Sequence, residues 1–80
     1  MKTYETLIAD IRNEARELNE KLTALEIFMM TEDFVKISPR QQILLVTQHR
    51  NMSEYKRTLI KRANLINLEH KQNAQEGGNQ

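Results

Sequence analysis

Residues 4–29 read YETLIADIRNEARELNEKLTALEIFM, and the spacing of the apolar residues in this stretch decides the fold. Tyr4, Ile8, Ile11, Ala15, Leu18, Leu22, Leu25 and Met29 step by four and three residues in strict alternation, an unbroken heptad seam. On an α-helix, alternation of this kind keeps one stripe turned toward a partner helix. The residues between, among them Glu14, Arg16, Glu17, Glu20 and Lys21, favour both helix and water. The pattern predicts a helix over about residues 3–30, with Thr3 as its N-cap.

Outward from this helix comes TEDFVKIS, residues 31–38, which reads as a corner. Thr31 or Asp33 is placed to cap a short helical turn, and Phe34 and Ile37 to plug the end of a hairpin. Ser38-Pro39 is the clearest punctuation in the chain. Serine is a preferred N-cap, and proline suits the first helical position, where its missing N–H does no harm. Gln41 and Gln42 follow where a capping box would need them. The second helix is expected over about 39–70, with its seam at Leu45, Gln48, Met52, Tyr55, Leu59, Arg62 and Ile66, widened by Leu44 and Ala63. Residues 72–80 contain Gly77 and Gly78 and a single apolar residue, Ala74, and read as a disordered tail. The expected fold class is therefore all-α: one domain, residues 1–71, forming an antiparallel two-helix hairpin with a short helical corner.

A hairpin of this size has too little interior to be secure alone. The chain has 80 residues, and small domains bury a low fraction of their surface. Disulfides, a metal or a partner subunit usually supply the missing stability. Cysteine is absent, and the two histidines, His49 and His70, are far apart with no metal-ligand spacing. Homo-oligomerisation is the remaining route. Ile43, Val46 and Ile60 fall outside the seam and, with Tyr4, are the expected oligomer or partner interface. A dimer would convert two thin hairpins into a four-helix bundle.

Net charge is +1, but its distribution is uneven. Up to Asp33 there are four basic and eight acidic residues; from Phe34 onward there are eight basic and three acidic. Either the two helices attract each other, or the basic second helix meets an anionic partner. No apolar run reaches the roughly 20 residues of a membrane span, and Glu5 and Asp10 interrupt any signal-type core at the N-terminus. A soluble, intracellular chain is expected, and the absence of cysteine suits a reducing cytoplasm.

Catalytic patterns are missing from the sequence. There is no cysteine nucleophile and no G-x-S-x-G elbow, and both glycines lie in the tail rather than in a phosphate loop. Glu14, Glu17 and Glu20 lack the accompanying Glu-x-x-His of a helical di-metal site and read as a solvated acidic face. Neither an enzyme, a metal nor a cofactor is expected. Tyr55 and Arg62, two turns apart on one face, are the candidate ligand-binding pair, since tyrosine can stack on a base and arginine can grip a phosphate. Gln48, Arg50 and Lys61 complete the candidate set. Tyr55 as an ordinary seam residue, with Arg62 paired to a glutamate of the first helix, is the competing reading. Arg50, Arg57 and Lys61, flanked by Lys56, form a basic stripe that reads either as a solvated face or as a phosphate-contacting ridge.

Leu18, Lys21, Leu22, Leu25, Phe28, Phe34, Gln42, Leu44, Leu45, Gln48, Met52, Tyr55, Leu59 and Arg62 together form the pattern L-x-x-K-L-x-x-L-x-x-F … F … Q-x-L-L-x-x-Q-x-x-x-M-x-x-Y-x-x-x-L-x-x-R. This pattern resembles a group of small helical phage proteins related to a gene of a crAss-like phage, over about Ile8 to Ile66. The resemblance implies a phage or prophage origin, a helical hairpin and a place in the cytoplasm of an infected bacterium. It supplies no activity. Some small phage proteins are helical oligomeric sponges that hold cyclic nucleotide signals between subunits; this chain lacks their sequence motifs, so the link is one of fold-level analogy.

The leading expectation is a non-enzymatic phage protein that oligomerises and counteracts host antiviral defence by sequestering a cyclic nucleotide signal. One alternative is an inhibitor of a host defence protein, or a structural adaptor, acting through the outer apolar face of the second helix. Another is a small nucleic-acid-binding regulator using Arg50, Lys56, Arg57 and Lys61.

Overall fold

Thr3 begins the first helix as a side-chain cap: its hydroxyl accepts the N–H of Thr6 at 3.1 Å. A computed structural model describes residues 3–78, with side chains as far as residue 73. The order of elements is α1 (Tyr4–Met29), α2 (Glu32–Lys36) and α3 (Pro39–Gly78). The described residues are helical almost throughout and form a rod of 65 × 20 × 15 Å.

The corner is built by short-range chemistry. Thr31 leads into α2 without a side-chain cap; its hydroxyl instead donates to the Phe28 carbonyl at 2.6 Å. Phe34 meets Phe28 edge-on, with ring centroids 6.2 Å apart, and closes the end of the hairpin. Ser38 caps α3, accepting the N–H of Gln41 at 3.2 Å. Gln42, one residue past the capping-box position held by Gln41, bonds elsewhere. Its amide donates to the carbonyls of Ile37 and Val35, at 3.1 and 3.4 Å, and ties α3 back to the corner.

Beyond the corner α3 returns antiparallel to α1 in constant register. Tyr4 stacks on His70, Asn19 meets Lys56 and Glu26 meets His49, and the residue numbers of each pair add to 74 or 75. The apolar stripe of α1 is its inner face: Ile8, Ile11, Ala15 and Leu22 are buried, and Leu18, Leu25 and Met29 half-buried. Leu59 is fully buried opposite Ala15, and Ala63 is buried opposite Ile11. In these two layers a large side chain meets a small one. Burying a side chain such as Leu59 contributes about 1.5–3 kcal/mol.

The seam of α3 differs from the expected one. Leu45, Met52, Leu59 and Ile66 face α1 as anticipated, but the flanking positions are His49, Lys56, Ala63 and His70, not Gln48, Tyr55 and Arg62, which are exposed. Both choices preserve steps of three and four, so spacing alone does not separate them. Cross-helix partners do: His49 lies 2.8 Å from Glu26, Lys56 donates to Asn19 at 2.9 Å, and His70 lies 3.4 Å from Glu5. Each polar seam residue thereby finds a partner on α1.

At its far end α3 continues past the expected limit near residue 70, to Gly78. Lys71, Gln72, Asn73, Ala74, Gln75 and Glu76 are all compatible with helix, and no proline intervenes. Residues 79 and 80 and the side chains from residue 74 onward, where most of the expected tail falls, lie outside the described residues.

Candidate functional site

The hairpin has two long rims where α1 and α3 meet, and they differ in chemistry. On one rim Tyr55 donates its hydroxyl to the carboxylate of Glu14. That hydrogen bond pushes the tyrosine hydroxyl above its usual pKa of 10.0; desolvation and the charge of Glu14 add to the rise, and Arg62 opposes it. Glu17, Leu18 and Lys21 line the same shallow recess. Gln48 reaches back to the sulfur of Met52 at 3.7 Å, and both lie with Leu44, Thr47, Asn51 and Tyr55 along a mainly apolar surface.

The five expected ligand-binding residues therefore divide into two groups. Gln48, Tyr55 and Arg62 share this rim, at seven-residue intervals. Arg50 and Lys61 do not join them. Counted at about 100° per residue, they lie roughly opposite Leu59, on the side of α3 turned away from α1. Arg57 shares that outer face, whereas Lys56 is drawn into the seam. Of the expected interface residues, Ile43 is 65% exposed, Val46 50% and Ile60 44%. Tyr4 is 44% exposed and stacks on His70 of its own chain, with centroids 4.5 Å apart.

The opposite rim carries an open groove of about 340 Å3. Its floor is Ala15 and Ala63, whose methyl side chains leave space between the helix backbones. Arg12 and Arg16 stand one turn apart on the α1 wall; Lys56 faces them from α3, and Ile60, Asn19 and Asn64 complete the lining. The bond from Lys56 Nζ to Asn19 Oδ1 holds the ammonium inside the groove.

Among the described residues no carboxylate pairs with Arg12, Arg16 or Lys56. Like charges at i, i+4 destabilise a helix by roughly 0.2–0.5 kcal/mol, and Arg12 and Arg16 stand at that spacing in the groove wall, with Glu5 beside Arg12 in the adjoining recess. Guanidinium forks suit phosphate and carboxylate oxygens, the alkyl floor suits a flat apolar body, and the two asparagine amides offer donors and acceptors. The lining consists of cations, amides and alkyl groups. Among the described residues no cluster of three or more His, Cys, Asp or Glu is placed to hold a metal.

Sequence reading did not single out this groove. Arg12 and Arg16 sit in the acidic half of the chain, and Lys56 reads from the sequence only as flanking the basic stripe of Arg50, Arg57 and Lys61. The available signal was an Arg-x-x-Ala-Arg stretch, residues 12–16, on one helix and Ala63 on the other; only the register brings them together.

The fold is that of a small helical hairpin. Residues 1–65 match the Sequestin family, and the chain belongs to it. The family's name points to a protein that sequesters what it binds. No curated protein and no solved structure matches the chain. The matched span includes α1, α2 and every residue of the groove. Among the described residues no helix is long and apolar enough to cross a membrane.

Proposed function

We propose that this protein is a phage-encoded sequestering factor that binds a small anionic signal of the cyclic nucleotide class without turning it over. Acting in the cytoplasm of an infected bacterium, it lowers the free signal on which host antiviral defence depends. The observation that carries this reading is the cluster of Arg12, Arg16 and Lys56 over the Ala15–Ala63 floor. Phosphodiester oxygens take charge-assisted hydrogen bonds from the guanidinium groups. A base lies on the alkyl floor against Ile60, and Asn19 and Asn64 bond to its edge. Sequestration needs stoichiometric protein and slow release.

A second reading puts the ligand on the other rim, with Tyr55 stacking on a base and Arg62 and Gln48 holding its phosphate. The half-exposed ring of Tyr55 favours it. Glu14 and Glu17 beside the ring oppose an anion there, so the groove is the stronger site. Titration of purine cyclic di- and trinucleotides into single variants, followed by calorimetry, separates the two. Arg16→Glu abolishes uptake if the groove is the site, and Tyr55→Ala leaves it intact; the reverse pattern assigns the ligand to the Tyr55 rim.

A further inference from the structure

We propose that the groove continues past Arg12 into a second recess, where Glu5 selects a guanine base of the sequestered nucleotide. Glu5, Ile8, Ala9, Arg12 and Asn13 of α1 and Asn67 of α3 line this recess, about 420 Å3 in volume. Arg12 lines both spaces, so they adjoin. Glu5, Ala9, Arg12 and Arg16 follow at steps of four, three and four along one face of α1. Opposite them, Ile60, Asn64 and Asn67 follow at steps of four and three along α3. From Glu5 to Asn19 the combined trough runs about 21 Å along α1, longer than one nucleotide needs.

Charge is sorted along this trough. Arg16 and Lys56 stand with Arg12 in the first space, and Glu5 stands in the second. A phosphodiester is drawn to the cations and repelled by the carboxylate, so the acidic end takes an uncharged part of the ligand. That part donates hydrogen bonds, because an ionised carboxylate only accepts them. Among the common bases guanine alone sets two donors side by side, N1–H and the N2 amino group, to match the two carboxylate oxygens. Adenine and cytosine place one amino group beside a ring lone pair, which the carboxylate repels. Uracil flanks a single N–H with two carbonyls. A ribose diol is the other double donor, but the alkyl side chains of Ile8 and Ala9 beside Glu5 suit the flat face of a base.

The flanking residues fit the same base. His70 Nε2 lies 3.4 Å from Glu5 Oε1, and Tyr4 stacks on His70. This contact anchors the carboxylate while the Glu5 side chain stays 76% exposed, with lone pairs left for a ligand. Among the described residues the side-chain amides of Asn13 and Asn67 make no hydrogen bond within the protein. They are free to donate to O6 and N7 of the guanine that Glu5 holds by its other edge.

The subsite rests on the sequestration reading, and the two fail differently. Calorimetry on the natural protein compares cyclic di-GMP, cyclic di-AMP and cyclic di-IMP, whose hypoxanthine bases keep N1–H and lack the N2 amino group. Cyclic di-GMP is expected to bind roughly tenfold or more tighter than either, the discrimination a bidentate base contact supplies. Glu5→Gln is expected to weaken cyclic di-GMP by a similar factor and to leave cyclic di-AMP nearly unchanged. Equal weakening of both would make Glu5 a purely structural residue and overturn the proposal. So would uptake that depends on Arg16 but shows no preference for guanine; sequestration then stands without the subsite. Uptake of none of the three overturns the subsite, and uptake of nothing from a wider panel of cyclic di- and trinucleotides overturns sequestration with it.

Discussion

Lys56 of α3 donates a hydrogen bond to Asn19 of α1 at 2.9 Å, from a half-buried position in the seam. The same side chain faces Arg12 and Arg16 in the groove. A register position that packing would fill with leucine is thus occupied by a cation turned toward the candidate ligand.

Replacing it separates stability from binding. Lys56→Leu fills the layer opposite Leu18 and removes like-charge repulsion. The hairpin should gain about 1 kcal/mol, which raises Tm by roughly 4–8 °C in a domain of this size. Affinity for the anionic ligand should fall at least tenfold. Thermal melts and calorimetry on one preparation check both; a variant less stable than the natural protein would show that Lys56 serves packing instead.

Leu59 is the most buried side chain and sits opposite Ala15. Leu59→Ala should cost about 2–5 kcal/mol, enough to leave the hairpin largely unfolded in urea that the natural protein tolerates. Urea denaturation followed by far-UV circular dichroism measures the loss.

The Tyr55 hydroxyl is held above its ordinary pKa of 10.0, first by its hydrogen bond to Glu14. A tyrosine whose folded pKa is raised favours the fold in its neutral form. That contribution is fully present below pH 10 and is lost as pH rises through the folded value. Ultraviolet titration should show Tyr55 ionising above the free-tyrosine range, and Glu14→Gln should bring it down. Equal titration in both proteins would remove Glu14 as the cause.

Ser38 caps α3 through the N–H of Gln41. Ser38→Ala should destabilise the protein by about 1 kcal/mol, with ligand affinity unchanged, because the corner is remote from the groove. A denaturant midpoint equal to that of the natural chain would place the start of α3 under other control.

Much of the fold was legible because α1 carries a single unambiguous stripe. Tyr4 to Met29 admits one seam, and Ser38-Pro39 admits one start for α3. The flanking half of the α3 seam was not legible. Gln48, Tyr55 and Arg62 and the alternative set His49, Lys56 and Ala63 have the same spacing, and each contains polar residues. The choice is made by partners on the other helix, Glu26 for His49 and Asn19 for Lys56, which sequence distance conceals. The groove was hidden for the same reason: its cations come from opposite halves of the chain and converge only once the register is fixed. Tyr55 and Arg62 were recognisable as neighbours on one face, but the attachment of Tyr55 to Glu14 depends on how the helices are rotated.

The central claim is sequestration without chemistry at the Arg12–Arg16–Lys56 groove. The most direct measurement mixes the protein with a panel of purine cyclic di- and trinucleotides, follows uptake by calorimetry, then denatures the complex and chromatographs what is released. The expected result is stoichiometric binding of one nucleotide class, loss of that binding in Arg16→Glu, and recovery of the nucleotide unaltered. No uptake across the panel, uptake indifferent to Arg16→Glu, or release of a cleaved product would contradict the account.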